Sequence, residues 1–396
     1  MTKRETCAVI AALQDRGHAA RFVGGCVRDT LLGRPIGDID IATDALPDDV
    51  VKCIEDAGLR AIPTGLAHGT VTAVAGGTSF EITTLRHDVE TDGRHAKVRF
   101  TDDWEGDAAR RDLTINAMSL EPDGTLHDPF GGRADLAAGR IRFVGDPQDR
   151  IVEDVLRLLR FFRFYAHYGR SPPDADALAA CQALAPRLTS LSGERVRVEV
   201  LKLLGAPDPL PTLRLMEETK VFESFLPEAT ALPHLARLVA IETAAGIAVD
   251  PIRRLTVLLE TDVKALAQVA DRLRLSNTER GYLLMVATES VSPTLNDLAR
   301  RRLIYRLGAA SFRELTLVGH ARTDVDADWK ALLDLADSWT TKTFPITGAD
   351  VLERNIPHGP AVGELLRAVE DWWVGGDFAA DRAVCLAYLE QEIQKR

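Results

Sequence analysis

No stretch of the sequence approaches the run of about 18 apolar residues that would mark a membrane-spanning helix. The N-terminal segment has no basic patch leading into an apolar core, which is the mark of a secretory leader. Secretion and membrane insertion are therefore not expected. Cysteine is sparse as well. Cys7, Cys26, Cys53, Cys181 and Cys385 are scattered, odd in number and without C-x-x-C spacing. Neither a disulfide framework nor a zinc site is supported, and a reducing cytoplasm fits best. Low-complexity tracts and fixed-period repeats are missing too. What is there is an ordinary globular composition, 46% hydrophobic and 27% charged over 396 residues. That length is too great for one core, so several domains are expected.

The net charge of −11 argues mildly against a nucleic-acid partner, but its distribution carries more information than its sum. Residues 140–170 hold seven arginines against four acids, and Arg195, Arg197, Lys202, Arg300-Arg301-Arg302 and Arg306 follow. Solvated helix faces would produce the same pattern, so charge alone decides nothing.

Up to about residue 135, strand and helix signals alternate. Ala20–Val23, Ile39–Ala42, Gly69–Ala75 and Ser79–Leu85 read as strands, the last two joined by a Gly76-Gly77 hairpin turn. Cys26–Leu32 and Pro47–Ala57 read as helices, and Asp88–Arg94 as a polar loop. From about residue 150 helical spacing takes over, in Ile151–Tyr168, Ala175–Ala185, Gly193–Leu204 and Leu210–Val221, and no convincing strand follows Phe143. Breaks are expected at Gly145-Asp146-Pro147, Ala206-Pro207-Asp208-Pro209 and Thr341–Gly348. The expected fold class is α+β, a mixed-sheet head followed by an all-helical remainder. The expected divisions are a head at 1–140, a neck at 141–206, a body at 207–340 and a tail at 341–396.

Asp38 and Asp40 stand two apart in Gly37-Asp38-Ile39-Asp40-Ile41. On a strand they share a face, where two carboxylates repel unless a cation lies between them. Hard oxygen ligands at that spacing suit Mg²⁺, which takes one or two carboxylates plus substrate phosphates. A lone D-x-D is common in loops, so its neighbours matter. Gly24-Gly25 closes a strand and opens a helix, letting backbone N–H groups approach a phosphate, and Arg28 one turn on offers a forked donor. Glu81, isolated between Phe80 and Ile82, suits a third carboxylate on a neighbouring strand, or a solvent-facing position. In Arg110-Arg111-Asp112-Leu113-Thr114-Ile115-Asn116-Ala117, Arg111 could hold phosphate and Asp112 a ribose hydroxyl, unless the segment is only a polar turn.

Further on, Asp154 and Arg157 are three apart in a helical pattern, with Arg160 next in line and Arg163 drifting to the side. A carboxylate can only accept. It suits the amino group of cytosine or adenine and opposes the carbonyl of uracil or guanine, while an arginine donates to the adjoining ring nitrogen. The mismatch costs roughly 1–3 kcal/mol, enough to select bases without a template. A trivial ion pair on a solvated face would look the same.

Taken in order, Gly24-Gly25-x-Val27-Arg28-Asp29, Asp38-x-Asp40, Arg111-Asp112-x-Thr114-Ile115-Asn116-Ala117 and Glu153-Asp154-x-x-Arg157 resemble the class II tRNA nucleotidyltransferase and poly(A) polymerase family, within the polymerase β-like nucleotidyltransferases. Leu113 departs from the Phe of many members, apolar for apolar. Leu188–Glu199 resembles the family's next helix motif, which supports the nucleotide pocket, and a weaker likeness runs to the C-terminus.

The resemblance implies Asp38 and Asp40 as catalytic metal ligands for Mg²⁺, supported by Glu81. It implies nucleotide binding by Gly24, Gly25, Arg28, Arg111, Asp112, Asn116, Asp154, Arg157, Arg160 and Arg163. The implied substrates are CTP, ATP and the tRNA 3′ end, with no membrane and no partner protein. Poly(A) synthesis and partial CC or A addition are the near alternatives, although His87–Gly106 looks more like the CCA-adding pattern. Outside the class stand a metal phosphohydrolase, prompted by His87-Asp88 and His127-Asp128, and a non-catalytic RNA-binding helical protein.

Overall fold

The computed structural model describes residues 1–91, 96–170, 172–325 and 327–395, with backbone alone at 88–91 and 96–97. The chain divides into two compact units, 1–232 with 268–276 and 233–267 with 277–395.

The first unit opens with helix α1 (Arg4–Gln14), strand β1 (Ala20–Val23), helix α2 (Gly25–Leu31), strand β2 (Asp40–Thr43) and helix α3 (Pro47–Asp56). Strands β3 (Arg60–Gly65), β4 (Thr70–Ala75), β5 (Thr78–Thr84), β6 (Arg86–Thr91) and β7 (Ala96–Phe100) follow. Helix α4 (Trp104–Ala109) precedes the short strands β8 (Ser119–Leu120) and β9 (Leu126–His127). Seven strands form one sheet in the order β3-β4-β5-β2-β1-β8-β9. Only β2 and β5 pair in parallel, so the sheet is mixed, as expected.

Alternation along the strands sorts the two faces. Phe22, Ile41, Phe80 and Ile82 are buried. Val23 and Ala42, on the opposite face, pack with Leu85 and Trp104. Helices α1 and α3 take the first face, against β4 and β5. Pro47 at the start of α3, with Asp48 and Asp49 in its first turn, suits the free N–H groups and positive dipole end there.

Helix α5 (Gly132–Ala138) leads to α6 (Pro147–Glu153), α7 (Leu156–Tyr168), α8 (Ala175–Leu184) and α9 (Gly193–Leu204), with α7 packed along α9. The remainder of the described chain is helical, ending with Gly348–Leu352, Pro360–Gly375 and Arg382–Gln394 around a core of Val351, Leu365, Trp373 and Leu389. Among the described residues no helix is long and apolar enough to cross a membrane.

Four local expectations are corrected. The helix expected over Ile151–Tyr168 breaks at Asp154, whose backbone is extended (φ −149°, ψ 107°). The break lets the Asp154 carboxylate accept the Leu156 N–H at 3.1 Å and start a new helix. The polar loop expected at Asp88–Arg94 is strand up to Thr91, because β6 pairs with β7; residues 92–94 lie outside the described residues. The strand expected over Ile39–Ala42 starts at Asp40, leaving Asp38 in the preceding loop. Leu210–Val221 splits into Leu210–Glu218 and Val221–Phe225 at Lys220, which adopts a left-handed conformation (φ 58°).

Candidate active site

Sheet register brings the head carboxylates together. Asp40 lies directly opposite Glu81 on the neighbouring parallel strand, and opposite Val23 on the other side. Residues so paired share a face. Asp40 and Glu81 therefore project on the side where Val23 and Ala42 pack with Trp104, away from buried Ile41 and Ile82. Burial raises the Asp40 carboxyl above its ordinary range; the Glu81 charge raises it further, Arg111 pulls it back, and Asp38 adds a smaller push upward. Like charges thus converge on Asp40 with one arginine in partial compensation.

Gly24 closes this corner. Its backbone (φ 70°, ψ −127°) is one that side chains rarely adopt. A Cβ there would stand 3.4 Å from Arg111 Nη1 and 3.9 Å from Asp40 Oδ2. The glycine turn, the carboxylate and an arginine are therefore immediate neighbours, but the arginine is Arg111, whereas the sequence grouping joined Arg28 to the glycines and aspartates. Arg111 is steadied by Asp107 Oδ2 at 3.3 Å. Burial of Asp107 would raise its carboxyl, but Arg110 and Arg111 outweigh that and hold it below the ordinary range.

Behind the corner lies a buried polar chain. Arg28 Nε and Nη2 bond Asp29 at 3.1 and 2.8 Å, and Nη1 donates to Asn116 Oδ1 at 2.7 Å. The guanidinium also lies 4.4 Å over the Tyr168 ring, while the Tyr168 hydroxyl bonds Asp29 at 3.0 Å. Asn116 Nδ2 donates to Asp112 Oδ1 at 3.1 Å, and Arg160 Nε to Asp112 Oδ2 at 2.6 Å. Burial would raise Asp112, yet Arg160, Asn116 and the Leu113 N–H together hold it below the carboxylate range. Arg163 completes the chain by donating to buried Glu199 on α9 at 3.1 Å. Arg28 and Asp112 therefore stand inside a network, and Arg28 Nη2, which bonds Asp29, would lie 3.6 Å from a Cβ at Gly25.

The pair expected to read a base is supported from two sides. Arg157 donates to Glu153, to the Arg150 carbonyl at 3.2 Å and to the Arg110 carbonyl at 2.8 Å. Asp154 Oδ2 accepts from Arg195 Nη2 at 2.7 Å. Arg157 and Asp154 remain linked through the backbone, Arg157 N–H to Asp154 carbonyl at 3.0 Å.

Partners that sequence reasoning did not assign are Asp29, Asp107, Glu199 and Arg195. Glu199 carried a signal, since it falls on the apolar stripe Val196–Val200–Leu203 of α9, where an acid needs a buried partner. Of the two His-Asp dipeptides, the Asp88 side chain lies outside the described residues, and the histidines meet carboxylates of other segments. His87 faces Asp103 at 3.6 Å and His127 faces Glu121 at 2.7 Å. Among the described residues no three His, Cys, Asp or Glu side chains are gathered closely enough to hold a metal ion between them. The head offers hard oxygen donors around Asp40 that would leave coordination places for phosphate and water, the donor set Mg²⁺ favours.

Comparison with known proteins gives the chain's relatives. Residues 20–142 match the family described as "Poly A polymerase head domain", and 173–232 that described as "Probable RNA and SrmB-binding site of polymerase A". The chain is 35% identical over 389 residues to mitochondrial CCA tRNA nucleotidyltransferase 1 of Mus musculus, covering 94% of this chain and 87% of that protein. It is 31% identical to the CCA-adding enzyme of Levilactobacillus brevis, over 96% and 95% of the two chains. The crystal structure of the Bacillus stearothermophilus CCA-adding enzyme in complex with CTP superposes with a TM-score of 0.76 at 30% identity, covering 99% of this chain and 98% of that one.

Proposed function

The chain belongs to the tRNA nucleotidyltransferase and poly(A) polymerase family, and from that premise we propose that it adds CCA to the 3′ end of tRNA, using CTP and ATP and releasing pyrophosphate. The observation that carries the chemistry is the convergence of Asp40, Glu81, Gly24 and Arg111 at one corner of the sheet. A triphosphate needs close backbone approach and cationic donors, and nucleotidyl transfer needs carboxylates beside them.

In this reading Asp38 and Asp40 hold Mg²⁺, with Glu81 in support. Bound there, the ion would activate the RNA 3′ hydroxyl and offset charge on the triphosphate. Gly24 and Gly25 leave the backbone open to phosphate oxygens, and Arg111 donates to them. Arg28 adds a guanidinium donor from behind Gly25. Asp112 and Asn116, through Arg160 and Arg163, hold this wall in place against α7 and α9. Asp154 accepts from the amino group of cytosine or adenine, and Arg157 donates to the neighbouring ring nitrogen. Head (1–140), neck (141–206), body (207–340) and tail (341–396) are proposed as the working divisions, with the helical body and tail tracking the tRNA backbone. The five free cysteines suit a reducing compartment.

The test uses purified full-length protein, tRNA transcripts ending before CCA, and each of the four triphosphates alone and in pairs. Three residues, C, C and A, should be added, with Asp38→Ala inactive yet folded. A long A tract, or an active Asp38→Ala, would overturn the reading.

A further inference from the structure

Resting on Asp154 as the base-selecting acceptor, we propose that Arg195 is a positioning residue that sets nucleotide selection by aiming the Asp154 carboxylate. Had α6 and α7 formed one helix, the backbone ladder would fix where Asp154 points. They do not. Asp154 sits in the break with an extended backbone, so its side chain takes its direction from its own bonds. One bond is local, from the Leu156 N–H to Oδ1 at 3.1 Å. The other comes from outside the segment. Arg195, in the first turn of α9, donates Nη2 to Oδ2 at 2.7 Å across 41 residues of sequence. That contact is charge-assisted and short, and it pins the oxygen that the capping bond leaves loose.

Both side chains are half-buried, 28% exposed for Arg195 and 26% for Asp154. The pair is therefore neither sealed in the core nor a solvated surface contact. Each carboxylate oxygen has more than one acceptor direction, so Asp154 keeps capacity for a base amino group while Arg195 stays in place. The donor half of the reader is supported separately: Arg157 is held by Glu153 and by the carbonyls of Arg150 and Arg110, none of which touches Arg195's contact. Removing Arg195 should thus disturb the acceptor half alone. The signature is loss of discrimination between amino and carbonyl at the same base position, C against U and A against G, with triphosphate handling retained.

The experiment compares full-length wild type, Arg195→Ala, Arg195→Lys, Arg195→Gln and Asp154→Asn in single-nucleotide addition with CTP, UTP, ATP and GTP. Arg195→Ala should lower the CTP-over-UTP ratio of kcat/KM by about tenfold to a hundredfold, the worth of one hydrogen bond to a charged group. The loss should lie in KM for CTP and ATP, with kcat/KM for UTP and GTP unchanged or raised. Lysine should recover part of the ratio and glutamine less.

If Arg195→Ala lowers all four nucleotides equally, or only the melting temperature, Arg195 is structural and the proposal fails. If the variant incorporates CTP better than wild type, Arg195 competes with the base rather than aiming the carboxylate, and the proposal fails as well. Asp154→Asn separates this from the reading beneath it. Unchanged base selection there removes Asp154 as the reader. Altered selection there, with unaltered selection in all three Arg195 variants, removes only Arg195.

Discussion

Asp40 shows how one residue is held in an unfavourable place for a use. It is paired with Glu81 across two parallel strands, feels Asp38 as well, and has Arg111 in partial compensation. Burial and like charge both disfavour its ionised form. Asp40→Asn removes that repulsion while keeping the shape. Nucleotide incorporation should fall by about a thousandfold, since a metal-supported transition state is stabilised by several kcal/mol. In chelator-treated protein the same substitution should raise the melting temperature, by roughly 1–3 °C for a gain below 1 kcal/mol. Incorporation assays and thermal melts with chelator check the two halves, and a variant that loses stability contradicts the charge argument. Gly24 belongs at the same scale: its backbone (φ 70°, ψ −127°) is one that a side chain occupies only under strain, while a Cβ there would make ordinary contact with Arg111 and Asp40.

At the scale of elements, two arrangements matter. In the first unit α7 is tied to α9 and to the loop after α4 by arginine–carboxylate bonds, Arg160 to Asp112 and Arg163 to Glu199. One partner lost from such a buried chain leaves a charge without compensation, so its members act as a group. In the last part of the chain, the Gly348–Leu352 helix starts with a capping box between Thr347 and Asp350. Asp350 also takes Arg382, at 3.0 Å from Nη1 and by a second contact from Nη2. The Arg382 bond first, then the Thr347 N–H, hold the Asp350 carboxyl down at about 2 against the pull of burial. A depressed carboxyl contributes stability above its ordinary value and loses it as pH falls through the depressed one. The stability difference between wild type and Asp350→Asn should therefore be full at neutral pH and shrink from about pH 4 to pH 2. Thr347→Ala should cost about 1 kcal/mol, the usual worth of an N-cap. Denaturant melts across that pH range read both.

Across the whole molecule, the chain leaves the first unit after residue 232 and re-enters it at 268–276. The returning segment seats on the start of α9: a Cβ at Gly193 would collide with the Arg272 carbonyl, while Arg272 pairs with Glu228 and Arg197 donates to the Arg274 carbonyl at 2.8 Å. Gly193→Ala has to move backbone against backbone and should cost about 2 kcal/mol or more, seen as a lower melting temperature and faster proteolysis of the full chain. Much of the fold was legible beforehand. Strands β1, β2, β4 and β5 and helices α2 and α3 were readable because alternation, glycine turns and proline starts are local signals. Strand β6 and the break at Asp154 were not, because one depends on a partner strand and the other on a side chain capping its own backbone. The candidate site divides likewise. Residue type and spacing made Gly24, Asp38, Asp40, Arg111, Asp154 and Arg157 candidates, and the ordered resemblance to a known family singled them out, since each motif is contiguous and its chemistry resides in residue type. Only the tertiary structure decided that Glu81 stands opposite Asp40, that Arg28 and Asp112 are engaged by Asn116 and Arg160, and that Asp154 answers to Arg195. These contacts span from 41 to 88 residues of sequence, and which charge meets which at that distance is set by sheet register and helix packing, not by any local pattern.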